Sequence, residues 1–164
     1  MKRADRPTRL DALELPELGG TLEFMRVLWS IDHALQRKSK HMARSLGVTG
    51  PQRLVIRIVG RFPGITAGRL AALLHVHPST LTGILKRLEH KRLIRRRASP
   101  RDARRLELGL TAAGRRLDGA MEGTVEGAVE RAIGRVPARD LASARSLLAS
   151  IAESLELEPA ARRV

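Results

Sequence analysis

The sequence predicts a mainly α-helical protein with one small β-hairpin, and three observations support this fold class. Aromatic residues make up only 2% of the chain, so Leu, Ala, Val and Ile must form the core. Apolar residues recur at helical spacing through most of the sequence, whereas residues 106–110 alternate as a β-strand does. A length of 164 residues with 43% apolar content suits one domain or a compact unit with an accessory element.

The first 48 residues are predicted to form an arm and a long helix. Residues 1–20 contain two prolines and a Gly-Gly pair, a composition typical of a loose arm. Helix one is predicted over residues 21–45, because apolar residues at spacings of three, four and seven share one of its faces. These residues are Phe24, Leu28, Ile31, Leu35 and Met42.

A second helix is predicted to begin after Thr49, a good N-cap that is followed by Gly50 and Pro51. It ends near residues 62–64, where Pro and Gly stop a helix. Its inward residues are predicted to be Leu54, Val55, Ile58 and Val59.

Residues 67–90 carry the offsets of a helix-turn-helix. Thr66 is placed to cap helix three (about residues 67–74), and helix four follows over about residues 78–90. Two such helices cross at a fixed angle, so apolar residues are needed at set positions, with a small one at the closest approach. The residues that meet this requirement are Leu70, Ala71, Leu74, Val76, Leu81, Ile84 and Leu88.

A β-hairpin and two further helices complete the prediction. Residues 93–95 begin a strand, residues 98–105 form the loop, and residues 106–110 form the return strand. Thr111 caps a long helix five, whose apolar stripe is Leu117, Met121, Val125, Ala128 and Ala132. Residues 134–137 break this helix, and helix six covers about residues 139–155.

These elements predict five segments. They are the arm (1–20), a dimerisation helix (21–48), a winged helix-turn-helix (49–110), C-terminal dimerisation helices (111–157) and a frayed tail (158–164). The predicted fold is thus a winged helix-turn-helix flanked by long dimerisation helices.

The net charge of +14 is concentrated in the middle of the chain, with +11 falling in residues 49–110 and none in residues 111–164. A block of this kind indicates a surface that binds a polyanion.

The chain contains no Cys, which excludes disulfides and thiol redox sensing. No apolar run has the length of a membrane span or signal peptide, so we expect a cytoplasmic protein without membrane contact.

The sequence shows no motif typical of a catalytic, metal or cofactor site. No catalytic triad, phosphate-binding loop or metal-ligand spacing occurs, so we predict neither an enzyme nor a metal or cofactor site. The histidines lack the convergent acidic ligands that a zinc site needs.

The outward face of helix four is predicted to enter the DNA major groove. Small polar residues at its start allow a close approach, and basic residues further along reach base edges or phosphates. Capping of the helix is an alternative role for Ser79 and Thr80. The predicted DNA-binding residues of this helix are Pro78, Ser79, Thr80, Thr82, Gly83, Lys86 and Arg87.

The hairpin carries a second basic surface. Arginines at a hairpin tip are suited to a narrow minor groove. Asp102 among them is predicted to orient the hairpin by holding one guanidinium in a bidentate pair. The predicted contacts of the hairpin are Arg95, Arg97, Arg101, Asp102, Arg104 and Arg105.

The run from Ile65 to Gly114 closely resembles the MarR family of bacterial transcription regulators. The family pattern has a recognition helix rich in small residues, a Leu-Ile/Val-Arg strand, an Asp-x-Arg tip and a Leu-Thr-x-x-Gly helix entry. Here Asp102 and Arg104 match the tip, and Leu110, Thr111 and Gly114 match the entry.

The resemblance implies a homodimer that reads double-stranded DNA at a pseudo-palindromic operator. It also implies repression or activation of nearby genes, usually relieved by a small aromatic or anionic effector. One departure is Arg92, which stands where relatives commonly have Gly. If that position requires a left-handed backbone, Arg costs on the order of 1 kcal/mol there, and a phosphate contact by Arg92 is one hypothesis for its presence.

An effector pocket is predicted between the dimerisation helices and the winged helix-turn-helix. Its candidate residues are Trp29, His33, Arg57 and Phe62, and packing in the core or a dimer interface is the alternative for Trp29.

The main rival function is a non-specific nucleoid or architectural DNA-binding protein, which would share the basic block but not discriminate operator from random DNA. The small-residue face of helix four favours the sequence-specific regulator.

Overall fold

A computed structural model describes residues 18–100 and 102–156, and this part of the chain contains seven helices and two strands. The predicted fold class, mainly α with one β-hairpin, is confirmed. Most of the predicted arm and the predicted tail lie outside the described residues. In chain order the elements are α1 (Gly20–Ser45), α2 (Gly50–Arg61), α3 (Ala67–Leu74), α4 (Pro78–His90), β1 (Ile94–Ser99), β2 (Asp102–Leu110), α5 (Ala112–Arg116), α6 (Val125–Ile133) and α7 (Ala138–Glu156).

One apolar core lies among α2, α3, α4 and the hairpin. Two details differ from the predicted faces. Leu54 is 51% exposed and Ile56 is fully buried, so the inward face of α2 is rotated from the predicted one. In α4, Leu85 is buried together with the predicted Leu81 and Leu88, because helical spacing of three and four residues fits both sets.

Three of the predicted threonine caps are present, at the starts of α2, α3 and α5. The Thr49 hydroxyl accepts the backbone N–H of Gln52, and the Gln52 side chain accepts the N–H of Thr49. This reciprocal pair is a capping box, which satisfies two donors that the helix leaves free. Thr66 and Thr111 each cap their helix, α3 and α5, by accepting one backbone N–H, from Arg69 and Gly114 respectively.

The hairpin is longer than predicted. β1 and β2 pair antiparallel from Ile94↔Leu110 to Ala98↔Leu106, and after an irregularity Ser99 pairs with Asp102. Most of the predicted loop of residues 98–105 is therefore strand, because a bulge lets the arginine-rich residues continue the pairing. Leu108 also bonds through its backbone to Gly64 and Ile65, which attaches the hairpin to the start of α3.

The prediction of one long helix five is wrong. Helix α5 ends at Arg116, and residues 117–124, which we call the linker, separate it from α6. Gly123 takes a left-handed φ of +75°, which glycine adopts without steric cost. The buried Thr124 then caps α6 by accepting the N–H of Gly127. Two glycines in the linker and a new cap outweigh the apolar periodicity that predicted one continuous helix.

Within the part of the chain that the structure describes, the apolar faces of the outer helices are uncovered. The predicted α1 face is exposed at Phe24, Ile31 and Leu35, whereas Met42 is buried. Helices α6 and α7 are described in full, and neither buries a residue. Helix α1 crosses the boundary between two units of the chain, Met1–Arg37 and Lys38–Val164.

Candidate nucleic-acid interface

Helices α3 and α4 are joined by the tight turn of a helix-turn-helix. His75 ends α3 in the left-handed conformation, with φ 50° and ψ 46°. The backbone N–H of Val76 returns to the carbonyl of Ala71 over 3.1 Å, and Val76 packs against the core. The turn places α4 across α3, which is the arrangement that presents a recognition helix to DNA.

The first turn of α4 is held by a cap that the sequence did not indicate. His77 Nδ1 accepts the backbone N–H of Ser79 at 3.3 Å, so His77, and not Thr80, is the capping residue. Pro78 occupies the first helical position, where no N–H is needed. The Thr82 hydroxyl donates to the Pro78 carbonyl at 2.8 Å, which leaves the start of α4 compact.

The predicted recognition face of α4 is accessible to solvent. Gly83 is half-buried, and the two cations Lys86 and Arg87 are exposed. The same face thus offers small groups near the helix start and positive charge one to two turns later. Its exposed small residues are Pro78, Ser79, Thr80 and Thr82.

The hairpin adds exposed guanidinium groups beside α4. Arg95 and Arg97 are exposed, and their cross-strand partners are Gly109 and Glu107. Arg96 points to the other side, where its Nε lies 2.8 Å from the Glu89 carboxylate of α4. This ion pair links β1 to α4 and so fixes the hairpin relative to the recognition face.

Asp102 organises the hairpin tip differently from the predicted bidentate pair. Its Oδ1 accepts the backbone N–H of Arg104 at 3.0 Å, and its Oδ2 lies 3.3 Å from Nε of Arg105. Both arginines are exposed. Asp102 therefore divides its two oxygens between a turn of the backbone and a neighbouring guanidinium. Arg101, also predicted at the tip, lies outside the described residues.

The position of Arg92 requires the left-handed backbone considered above. Arg92 has a φ of 55°, its N–H donates to the carbonyl of Glu89, and its carbonyl accepts the Thr111 hydroxyl at 2.6 Å. The strand register puts this turn at the end of the hairpin opposite Ser99 and Asp102. Arg92 thus stands at the base of the hairpin, away from its tip.

The four candidate effector residues fall in two units. Trp29, 71% exposed, and His33 line a groove along α1. Arg57 of α2 pairs with Asp118 at 3.0 Å and lines a separate cavity, and Phe62 ends α2 with half of its surface exposed. The other residues around the Arg57 cavity are Ala120, Met121, Glu122, Glu126, Gly127, Glu130 and Arg131.

Sequence reasoning missed one polar residue altogether. Arg53 is fully buried in α2, and its guanidinium contacts Glu126 and three groups of the linker. The only signal in the sequence is a cation among the apolar residues of α2, which is equally compatible with an exposed position.

A helix-turn-helix with a basic hairpin beside its second helix defines the class of winged-helix DNA-binding proteins. The model of the MarR family matches residues 46–105 of this chain. The chain is 32% identical over 139 residues to the HTH-type transcriptional regulator TtmR of Methylorubrum extorquens, covering 82% of this chain and 71% of that protein.

Solved structures share the fold. The Staphylococcus aureus MepR–DNA complex superposes with a TM-score of 0.68 at 20% identity, covering 84% of this chain and 99% of that one. The Mycobacterium tuberculosis MarR family protein Rv2887 in complex with salicylic acid gives a TM-score of 0.52 at 26% identity, covering 82% and 98%.

The chain belongs to the MarR family of winged-helix, DNA-binding transcription regulators. That membership confirms the predicted family and the prediction that the protein is not an enzyme. Among the described residues, no helix has the length and hydropathy to cross a membrane.

Proposed function

We propose that the protein is a homodimeric repressor that reads a pseudo-palindromic operator and is released by a small ligand. Helix α4 enters the major groove, and the hairpin follows the adjacent minor groove. The observation that carries this proposal is the exposed face of α4, with Ser79 and Thr82 near its start and Lys86 and Arg87 further along, beside a hairpin with exposed arginines.

Sequence-specific reading follows from the layout of this face. Short side chains at the start of α4 allow its backbone to approach the base edges, and Arg87 or Lys86 is long enough to reach a guanine. Arg95, Arg97, Arg104 and Arg105 supply contacts whose energy comes from phosphates and from the narrow minor groove. The related MepR has been crystallised with DNA, which supports the same use of the fold here.

Dimerisation is supported by the uncovered apolar surface. Trp29 is 71% exposed and Leu155 is 73% exposed, and α6 and α7 bury no side chain. Exposed apolar faces on whole helices are typical of protein–protein interfaces. Two copies joined through α1, α6 and α7 would present two α4 helices to one duplex.

Release by an effector requires a site between α2 and the C-terminal helices. The cavity beside Arg57 lies between α2 and α6, where an occupant would contact Arg57, the linker and α6. A relative of 26% identity is known in complex with salicylic acid, which supports a small aromatic acid as the first ligand to try. Its carboxylate would have to replace Asp118 as the partner of Arg57.

Fluorescence anisotropy on duplex DNA tests the DNA-reading part. An operator is first selected from random duplexes with the wild-type protein. Each phosphate neutralised contributes about −0.9 to the slope of log K against log salt, so a steep negative slope is expected. A slope near zero, or equal affinity for the selected and a scrambled duplex, would contradict the proposal, and the latter outcome would favour the non-specific alternative.

Arg104→Ala and Arg139→Ala form a matched pair for the hairpin. Arg104 is an exposed residue of the tip, and its removal is expected to weaken operator binding by roughly tenfold or more. Arg139 lies 88% exposed at the start of α7 beside Asp140, and its removal is expected to leave affinity within about twofold. Equal losses in the two variants would exclude the assigned role of the hairpin.

A further inference from the structure

We propose that Arg53 is a positioning residue that fixes the C-terminal helices (residues 125–156) relative to the DNA-reading module (residues 48–110) and thereby sets the operator spacing that the dimer accepts. The inference rests on the proposed dimer. It starts from a fully buried guanidinium in the middle of α2, which takes no part in the DNA-reading surface.

Every contact of that guanidinium goes to the linker or to the first turn of α6. Nη1 donates to the Leu117 carbonyl and lies 3.4 Å from Met121 Sδ, and Nη2 donates to the Gly119 carbonyl at 2.7 Å. Nε forms an ion pair with Glu126. Among the described residues, no buried side-chain nitrogen or oxygen lacks a partner, so the cost of burying this charge is offset locally.

The carbonyls that Arg53 uses are available only because the helix is interrupted there. In a continuous helix, the carbonyls of Leu117 and Gly119 would accept backbone N–H groups four residues later. Because the linker is not helical, these two carbonyls accept hydrogen bonds from Arg53 instead. The break in the helix and the buried cation therefore depend on each other.

Two more residues on the same face of α2 hold the linker. Arg57 pairs with Asp118 at 3.0 Å. A Cβ added to Gly60 would lie 2.1 Å from Asp118 Oδ2, so only glycine allows this approach without displacing the carboxylate. Residues 53, 57 and 60 recur at the four- and three-residue spacing of one helical face.

Helix α6 has few other means of holding its direction. It buries no side chain of its own, and its described attachment to α2 is at its first turn, through Glu126 and the contact of Val125 with the region around Gly50. If α6 and α7 form the dimer interface, the angle at which α6 leaves the linker determines how far apart the two α4 helices lie. Half-site spacing on DNA follows that distance.

The test compares operator spacings rather than affinity alone. Duplexes carry the two selected half-sites at the selected separation and at separations two base pairs longer or shorter, and binding is measured by anisotropy. Wild type is expected to prefer its own separation by about tenfold, and Arg53→Met to reduce this preference to about twofold. Affinity for a duplex with a single half-site is expected to stay within about twofold.

A second variant covers the case in which Arg53→Met does not fold because Glu126 is left unpaired. The double variant Arg53→Met with Glu126→Leu removes both charges, which commonly restores stability, but it leaves the carbonyls of the linker without their donor. The double variant is expected to fold with a relaxed spacing preference.

Arg61→Gln is the matched control, because Arg61 is an exposed cation at the end of the same helix. This variant is expected to keep the wild-type spacing preference.

The outcomes separate the inference from the proposed function. If folded Arg53→Met or the double variant keeps the wild-type preference, the positioning role of Arg53 is wrong and the dimeric regulator stands. A wild-type protein that shows no spacing preference at all would instead overturn the proposed operator-reading dimer.

Discussion

The DNA-reading module (residues 48–110) and the C-terminal helices (residues 125–156) differ in what covers their apolar side chains. The core cluster of thirteen buried residues lies entirely within the first region, whereas α6 and α7 bury none. Both regions show the same helical periodicity in the sequence. Helical periodicity therefore identifies an apolar face that must be covered, but the covering surface can belong to the same chain or to another.

A pair of leucine substitutions gives the largest expected difference between the regions. Leu85→Ala opens a cavity in the core of the module and should lower the free energy of unfolding by about 2–5 kcal/mol. Leu148→Ala in α7, where the side chain is 47% exposed, should change it by less than about 0.5 kcal/mol at protein concentrations low enough to favour single chains. Urea unfolding at several protein concentrations measures both.

The same pair reports on the uncovered helices. The loss in Leu85→Ala should not depend on protein concentration, whereas the loss in Leu148→Ala should grow as concentration rises and copies associate. A large loss in Leu148→Ala at every concentration would mean that α7 packs within its own chain.

A pair of glycine substitutions has an intermediate effect. A Cβ at Gly114 would lie 2.0 Å from the Leu93 carbonyl, a backbone atom that cannot move aside. Gly114→Ala should therefore lower the free energy of unfolding by about 1–3 kcal/mol. Gly68 in α3 has open space around it, so Gly68→Ala should raise that free energy by about 0.5–1 kcal/mol. Thermal unfolding monitored by circular dichroism compares the two, and similar changes of the same sign would contradict this account of the hairpin base.

Arg92→Gly is expected to have a small effect on stability and, like Gly68→Ala, a stabilising one. Arg92 has a left-handed φ of 55°, so glycine at this position should raise the free energy of unfolding by up to about 1 kcal/mol. Operator affinity should stay within about twofold if Arg92 makes no DNA contact, because the turn is at the far end of the hairpin from the tip. A clear fall in affinity with a reduced salt slope would support the phosphate-contact hypothesis instead.

The sequence predicted the DNA-reading module well because its signals are local. Thr49, Thr66 and Thr111 each cap a helix through the residue three positions further on, and the leucines of α3 and α4 repeat at fixed offsets. The cap of α4 was missed because histidine is an uncommon capping residue, although His77 directly precedes Pro78.

The rest depended on contacts between residues far apart in the chain. The linker between α5 and α6 was missed because its acceptors are satisfied by Arg53, more than sixty positions earlier. The hairpin loop was placed too broadly because a bulge at Ala98/Ser99 extends the pairing. The sequence around Arg53 does not show that it binds the linker, and the arginine run of the hairpin does not show where the bulge lies.

The central claim is that one region reads DNA while the other joins two copies of the chain. Sedimentation equilibrium of the protein with a duplex carrying the selected operator tests it most directly, because it counts chains per duplex. Two chains are expected on the two-half-site duplex, and predominantly one for a Leu148→Asp variant, whose charge would be buried in the interface. One chain per operator for the wild type, or two for the variant with unchanged affinity, would contradict it.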